Sequence, residues 1–237
     1  MTSGSAPIVP LGDDQADEAV ALIGRAFQDD PWAVYSCADP DERAQWLPWC
    51  FWPDVWQGRL YGVLLGTAGR LEGVAAAVSP SGSEFSVDHD AQFGYVPGRA
   101  ALGAEIWDRI MVGARAAYRP ASAVLERAVP EPHWYLDTLA VEPARHGQGI
   151  GSRLLQAVHA HTDADGLPIA ALTFQPKSLA LYRRHGYVVI CGEEAPADRP
   201  PWWGLRRNPG AVEGEGGASK PERWAGLSAG RPVHVHL

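Results

Sequence analysis

The chain of 237 residues is 46% hydrophobic and 9% aromatic, and its formal net charge is −8 at pH 7. The apolar content is enough for a hydrophobic core, which excludes a wholly disordered chain, and the acidic balance argues against nucleic acid as a partner. No apolar run approaches membrane-spanning length, and the first residues lack the basic and apolar blocks of a signal peptide. We therefore expect a cytoplasmic protein with no membrane partner.

The three cysteines are scattered without metal-ligand spacing, which is typical of a reduced compartment and predicts no metal site. Charge is unevenly distributed, because residues 1–60 hold ten acidic and three basic residues. Such an excess would attract a cationic substrate. A solvated acidic helix face explains it equally well.

The first half of the chain predicts a strand, two helices and a pair of strands, followed by a longer helix. "APIVPL" is typical of a short strand, and the helix after it has its apolar residues on one face until Pro31 ends it. A second helical stretch covers 41–57, and "YGVLLGTA" and "LEGVAAAVSP" then predict two strands with a turn at Gly69. A further helix covers about 100–118.

The second half alternates strands and helices. "HWYLDTLAV", "PIAALTF", "YVVICG" and "WWGLRR" are typical of strands, with a long helix after the first and the short helix "KSLALYRRHG" after the second. This order indicates an α/β (α+β) fold, and the strands of the first half look partly antiparallel. We expect a single domain over 1–207 and a loosely structured tail over 208–237.

A glycine-rich loop joins the strand "HWYLDTLAV" to the long helix, with glycines at 147, 149 and 151. The amides at a helix N-terminus bind phosphate, and glycine lets the backbone approach the ligand. The order G-x-G-x-G is neither a P-loop, which needs a lysine after the last glycine, nor the G-x-G-x-x-G of a dinucleotide site. A nucleophile elbow needs a serine where Ile150 stands.

The segment "LAVEPARHGQGIGSRLL" resembles the acetyl-CoA-binding signature of the GNAT superfamily of N-acetyltransferases, and "SLALYRRHGYVV" resembles its second motif. The resemblance covers about residues 6–210 and is strongest to puromycin N-acetyltransferase-like antibiotic-modifying enzymes. It implies a mixed central sheet of about seven strands, with helices on both faces and a splay between the fourth and fifth strands. It also implies acetyl-CoA as the co-substrate and no metal.

The same resemblance implies roles for individual residues. The pantetheine arm would lie along the fourth strand, where an amide polarises the thioester carbonyl, and the pyrophosphate would lie on the loop amides. Tyr182 would give a proton to the departing thiolate, or it is an ordinary packed helix residue. His146 stands where glutamine or arginine is usual, and Ser178 where many members carry asparagine. The implied cofactor-binding residues are Leu139, Ala140, Val141, His146, Gly147, Gln148, Gly149, Ile150, Gly151, Ser152 and Ser178.

Direct transfer needs a base that takes a proton from the amine. Strand alternation places Tyr135, Asp137 and Leu139 on one face, and Asp137 is the best-placed carboxylate if that face meets the acceptor. A structural hydrogen bond is the alternative role for Asp137. The other candidate bases lie in the segment "SEFSVDHD", which is typical of a solvated loop. They are Glu84, Asp88, His89 and Asp90.

Acceptor binding is predicted in the first half of the chain. Four tryptophans lie within about a third of a helix circumference and suit a bulky amine, or form a core face: Trp46, Trp49, Trp52 and Trp56. Asp29 and Asp30 would pair with the ammonium of the acceptor, or cap a helix. We expect a small-molecule amine substrate, an antibiotic or a biosynthetic intermediate, and a possible homodimer. A protein or peptide substrate and a non-catalytic acyl-CoA sensor are the alternatives.

Overall fold

The computed structural model of the chain describes residues 6–80, 94–194 and 196–210. Seven strands form one mixed sheet in the order β1-β2-β3-β4-β5-β7-β6, in which only β4 and β5 are parallel neighbours. This confirms the predicted fold class. The strands are β1 (Ile8–Pro10), β2 (Gly62–Thr67), β3 (Gly73–Val78), β4 (Trp134–Val141), β5 (Ile169–Thr173), β6 (Val188–Glu193) and β7 (Trp202–Arg207).

The helices cover both faces of the sheet. Within the described residues, none is both long and apolar enough to cross a bilayer. The α-helices are α1 (Ala16–Ala26), α2 (Pro31–Ser36), α3 (Pro40–Tyr61), α4 (Val96–Leu102), α5 (Ala104–Ala128), α6 (Ile150–Ala164) and α7 (Leu179–Arg184).

Pro31 marks a helix start rather than the helix end that was predicted for it. Pro31 and Pro40 occupy the first turns of α2 and α3, and Asp30 and Asp39 cap those helices by accepting backbone hydrogen bonds. The short helix α2 was therefore missed. α5 also runs past Pro120 to Ala128, ten residues beyond the predicted end at 118, because burial of its apolar face offsets the lost hydrogen bond.

Two layers of core side chains lie on opposite faces of the sheet. One layer packs α1, α2, α3 and α5 against β3 and β4, with Trp46, Ile110 and Ala140 among its buried members. The other layer packs α6 and α7 against the same strands, with Leu136, Leu154 and Tyr182 among its buried members. Both faces of the central strands are therefore covered, as the almost wholly apolar sequence of β3 requires.

Strand β4 carries a bulge where its pairing with β5 ends. Ala76 and Ala77 of β3 lie opposite Thr138 and Leu136, so that Asp137 is the extra residue. The parallel pairing stops at Leu136 and Ala171, although β4 continues to Val141. The backbone of β4 beyond Leu136 therefore faces a gap, which is the splay that was expected between the fourth and fifth strands.

The bulge also corrects the predicted orientation of one side chain. Leu139 packs with the α6 layer, whereas Thr138 bonds to Asp54 of α3 on the opposite face. Simple alternation had placed Leu139 on the same face as Tyr135 and Asp137. An extra residue in one strand shifts the alternation by one position, and nothing in the sequence "YLDTLAV" marks where that shift occurs.

Candidate active site

A cavity of about 710 Å³ lies at the gap between β4 and β5. Its lining comes from both layers of the fold: Trp32, Phe51 and Phe174 from the layer of α1 to α3, and Ile150, Leu181 and Tyr182 from the layer of α6 and α7. The gap in the sheet is what joins the two sides. One molecule entering from the α6 side can therefore meet another entering from the α1–α3 side.

The glycine loop forms one end of this cavity. Gly147 and Gly149 have φ angles of 78° and 76°, a left-handed conformation that favours glycine, and a Cβ at either position would meet no protein atom. Both glycines therefore present bare backbone to open space. Gly151 differs, because a Cβ there would lie 3.3 Å from the Leu181 side chain, which explains the close approach of α6 to α7.

The loop is held in place by side chains outside it. Arg145 forms a 2.8 Å ion pair with Glu72, and a ring nitrogen of His146 lies 3.1 Å from the Val141 carbonyl oxygen. Ser152, in the first turn of α6, lies 2.9 Å from a ring nitrogen of His185, which follows α7. These contacts fix the loop relative to both the sheet and α7.

Basic side chains collect at this end of the cavity, where Arg145, Lys177 and Arg184 are part of the lining. All of the predicted cofactor-binding residues line the cavity with one exception, the exposed Gln148. The loop amides, the N-terminus of α6 and these basic groups together suit a phosphate-bearing ligand.

Replacing Gly149 by alanine tests this cradle. A side chain at this φ strains the backbone by about 1 kcal/mol or more and adds a methyl group on the open face of the loop. We expect the Kd of coenzyme A, measured by titration calorimetry, to rise about tenfold. The matched control is Gly69→Ala, because Gly69 has a φ of 75° and equally open surroundings in the β2–β3 turn. An equal loss of coenzyme A affinity in both variants would contradict the assignment.

Tyr182 lies between the two ends of the cavity. Its side chain is buried, lines the cavity and makes an edge-to-face contact with Tyr187 at 5.2 Å between ring centroids. Burial raises the pKa of Tyr182, and the negative charge of Asp30 raises it further. The hydroxyl therefore keeps its proton at neutral pH.

Asp30 caps a helix, which is one of the two roles that were considered for it. Its carboxylate accepts a 2.9 Å hydrogen bond from the Trp32 amide at the start of α2, and it also lines the cavity. Burial raises the pKa of Asp30 from 3.8 to about 6, and backbone hydrogen bonds from Trp32 and Ala33 oppose that rise. Asp29 lies beside it in the lining but is exposed.

Asp30→Asn is expected to make the protein more stable at neutral pH. Asparagine still caps α2, but it carries no charge to bury. Because the pKa of Asp30 is higher in the folded state, the wild type loses stability as the pH rises from about 4 to about 6, and the loss is complete above that range. We expect the variant to melt about 2–6 °C higher at pH 7 and at nearly the same temperature at pH 4. A difference independent of pH would contradict this account.

The inner end of the cavity contains a polar cluster that sequence reasoning largely missed. Tyr118 of α5 and Tyr135 of β4 share a 3.1 Å hydrogen bond between their hydroxyl groups, and both line the cavity with Asp137. Asp54 of α3 joins them, and it accepts a 2.7 Å hydrogen bond from the Thr138 hydroxyl. Burial raises the pKa of Tyr135, and the charge of Asp137 raises it further, which places that carboxylate beside the tyrosine.

None of the four tryptophans predicted to bind the acceptor lines the cavity. Trp46 is completely buried, and its ring lies 5.3 Å from that of Trp32, which supplies the indole of the lining instead. Trp52 stacks on Trp56 at 6.2 Å, and a Cβ built on Gly94 would contact Trp52. Trp46 therefore belongs to the core, and Trp49 and Trp52 pack half-buried against it.

The alternative candidates for the general base lie outside the described residues: Glu84, Asp88, His89 and Asp90. Most of the segment 208–237 also lies outside the described residues. Within the described residues, no three histidine, cysteine or acidic side chains converge as metal ligands.

Comparison with known proteins agrees with this geometry. Residues 102–189 match the family model of the acetyltransferase (GNAT) domain. This segment includes β4, the glycine loop, α6 and Tyr182, all of which contribute to the lining of the cavity.

Three solved structures show the same fold over most of the chain. A Corynebacterium glutamicum ATCC 13032 protein described as histone acetyltransferase HPA2 and related acetyltransferase is 20% identical, with a TM-score of 0.58 over 89% of this chain and 99% of that chain. SsHAT is 17% identical, with a TM-score of 0.56 over 87% of this chain and 100% of that chain. A mosquito arylalkylamine N-acetyltransferase like 5b is 18% identical, with a TM-score of 0.52 over 86% of this chain and 100% of that chain.

Proposed function

We propose that this acyltransferase, which carries a GNAT acetyltransferase domain, transfers an acetyl group from acetyl-CoA to a primary amine of a small cationic molecule in the cytoplasm. One observation supports the proposal above the others. A single cavity has a glycine cradle with basic side chains at one end and carboxylates at the other, and the gap between β4 and β5 joins the two ends.

The cofactor end fits acetyl-CoA in charge and in shape. The amides of residues 146–152 and the side chains of Arg145 and Lys177 would hold the pyrophosphate. The backbone of β4 from Leu139 to Val141 has no β5 partner, so it is able to pair with an extended amide-bearing arm. Ser178, at the start of α7, would contact that arm.

When bound, acetyl-CoA supplies an acetyl group activated as a thioester. A β4 amide beyond Leu136 donates a hydrogen bond to the carbonyl oxygen as negative charge develops on it. Asp137 takes a proton from the attacking amine, and Tyr182 gives a proton to the departing sulfur. A C–N bond forms and a C–S bond breaks, so an amide and a neutral thiol leave. Solvent returns the proton from Asp137 to Tyr182.

A small acceptor is favoured over a peptide because largely buried side chains form the inner end of the cavity. These are the buried Asp54 and Tyr135 and the half-buried Tyr118, and the aromatic rings of Trp32, Phe51 and Phe174 form the walls. These rings suit the apolar body of a bulky amine. An antibiotic or a biosynthetic intermediate has this chemistry, and the acetylation would serve self-resistance or tailoring.

The test follows coenzyme A release with a thiol reagent while acetyl-CoA is presented with puromycin-like aminonucleosides, aminoglycosides, arylalkylamines and basic peptides. Turnover on one class of small amine would support the proposal. Turnover confined to the peptides would replace it with a protein or peptide acetyltransferase. Tight coenzyme A binding with no turnover on any member would favour an acyl-CoA sensor.

A further inference from the structure

The turn that follows α7 is anchored on the carbonyl group of Tyr182. The amides of His185 and Tyr187 both donate hydrogen bonds to that carbonyl oxygen, at 3.0 and 3.1 Å. Gly186 stands between these two residues with a φ of 82°, a left-handed conformation that closes the turn at the end of the helix. The backbone of the turn is therefore built directly on Tyr182.

The side chains on either side of this glycine both contact α6. Nε2 of His185 lies 2.9 Å from the Ser152 hydroxyl oxygen, and Nε2 of His159 lies 3.1 Å from the Tyr187 hydroxyl oxygen. Ser152 and His159 are about two helical turns apart, so they lie on the same face of α6. That face therefore holds the turn after α7 at two points.

The contact between His159 and Tyr187 is buried and lies outside the described lining of the cavity. Burial, with a smaller contribution from the charge of Arg207, lowers the pKa of His159 to about 4. The imidazole is therefore neutral at neutral pH, and its Nε2 is able to pair with the hydroxyl as a donor or as an acceptor. Because removing one partner of a buried polar pair costs free energy, each group holds the other in place.

Tyr187 passes this constraint on to the side chain of Tyr182. The two rings meet edge to face, with centroids 5.2 Å apart and an interplanar angle of 72°, and both are buried in the same core layer. An edge-to-face contact of this kind favours one relative orientation of the rings. Since the hydroxyl of a tyrosine lies on the axis of its ring, a fixed ring also fixes the position of the Tyr182 oxygen.

We infer that His159 is a positioning residue for the proton transfer from Tyr182, and that it acts through Tyr187. The inference rests on the proposed function. His159 lies on the helix whose first turn follows the glycine loop, so its contact with Tyr187 fixes the Tyr182 hydroxyl relative to that loop. The proton moves from the Tyr182 oxygen to the departing sulfur as the C–S bond breaks. His159 neither gives nor takes a proton in this step.

His159→Leu is expected to lower kcat about tenfold while the Kd of coenzyme A stays within about twofold, because a small displacement of a positioned group lowers the rate of the chemical step. Tyr187→Phe removes only the hydroxyl and should give the same loss. His159→Gln should restore most of the rate, since its amide is still able to pair with the hydroxyl. The exposed His161→Leu on the same helix is the matched control, and thermal melting checks that each variant is folded.

The same two variants are then measured in the Tyr182→Phe background. Once the Tyr182 hydroxyl is gone there is nothing left to position, so we expect His159→Leu and Tyr187→Phe to change kcat there by no more than about twofold. An equal loss in both backgrounds, or full kcat in the single variants, would overturn the inference and leave the proposed function standing. Full kcat in Tyr182→Phe alone would remove the acid step and the inference with it. Release of coenzyme A with none of the amines would overturn the proposed function itself.

Discussion

Tyr182→Phe is expected to lower kcat about 100-fold while the Kd of coenzyme A stays within about twofold, since a positioned proton donor contributes on this scale. The phenylalanine ring keeps the edge-to-face contact with Tyr187 and the packing in the α6 layer. Only the hydroxyl is removed, and with it the proton for the departing sulfur. Steady-state kinetics with a saturating amine and titration calorimetry with coenzyme A measure the two quantities separately.

The matched control for this variant is Tyr35→Phe, because Tyr35 lies on α2 with 42% of its surface exposed and outside the cavity lining. It should behave as the wild type in both measurements. If Tyr182→Phe keeps full kcat, the sulfur leaves without a proton from this residue, and Tyr182 is then a packed helix residue. A parallel rise in the Kd of coenzyme A would instead make its role one of binding.

The glycine-loop end of the cavity was predictable because it is encoded locally. The glycines at 147, 149 and 151 follow a strand and open a helix, so a loop with bare backbone can be predicted from a short run of sequence. The structure adds a physical reason for each of them: left-handed backbone at Gly147 and Gly149, and close helix packing at Gly151. The position of Tyr182 is also encoded locally, because Tyr182 lies on the short helix α7 next to the loop.

The acceptor end was not predictable because distant segments assemble it. Asp54 lies 84 residues from Thr138, to which it is bonded, and Tyr118 lies 17 residues from Tyr135. In the sequence Asp54 is one of ten acids in the first sixty residues, and nothing in its immediate neighbourhood distinguishes it from exposed ones such as Asp41. Trp32 was not predicted as part of the site for a similar reason. It belongs to the short helix that begins at Pro31, and that helix was not predicted either.

The bulge explains why the predicted orientation of Leu139 was wrong. Asp137 is the extra residue of the bulge, and both Asp137 and Thr138 are directed toward α3 and α5. The same irregularity moves Leu139 to the other face and ends the pairing with β5. One inserted residue therefore leaves the β4 backbone beyond Leu136 without a β5 partner and also places the Asp137 carboxylate in the lining of the cavity.

Asp137→Asn is expected to lower kcat by about 10²-fold or more, because asparagine cannot take the proton of the attacking amine. The Asp30 carboxylate shapes the pH dependence of KM in the wild type. Protonation of Asp30 below about pH 6 weakens the binding of a cationic acceptor, so KM rises at low pH, and this rise disappears in Asp30→Asn. The rise should remain in Asp137→Asn, which changes kcat instead. Measurements of kcat and KM between pH 5 and 9, with Asp41→Asn as the control, test the two expectations. An Asp137→Asn enzyme with the kcat of the wild type would show that another group is the base.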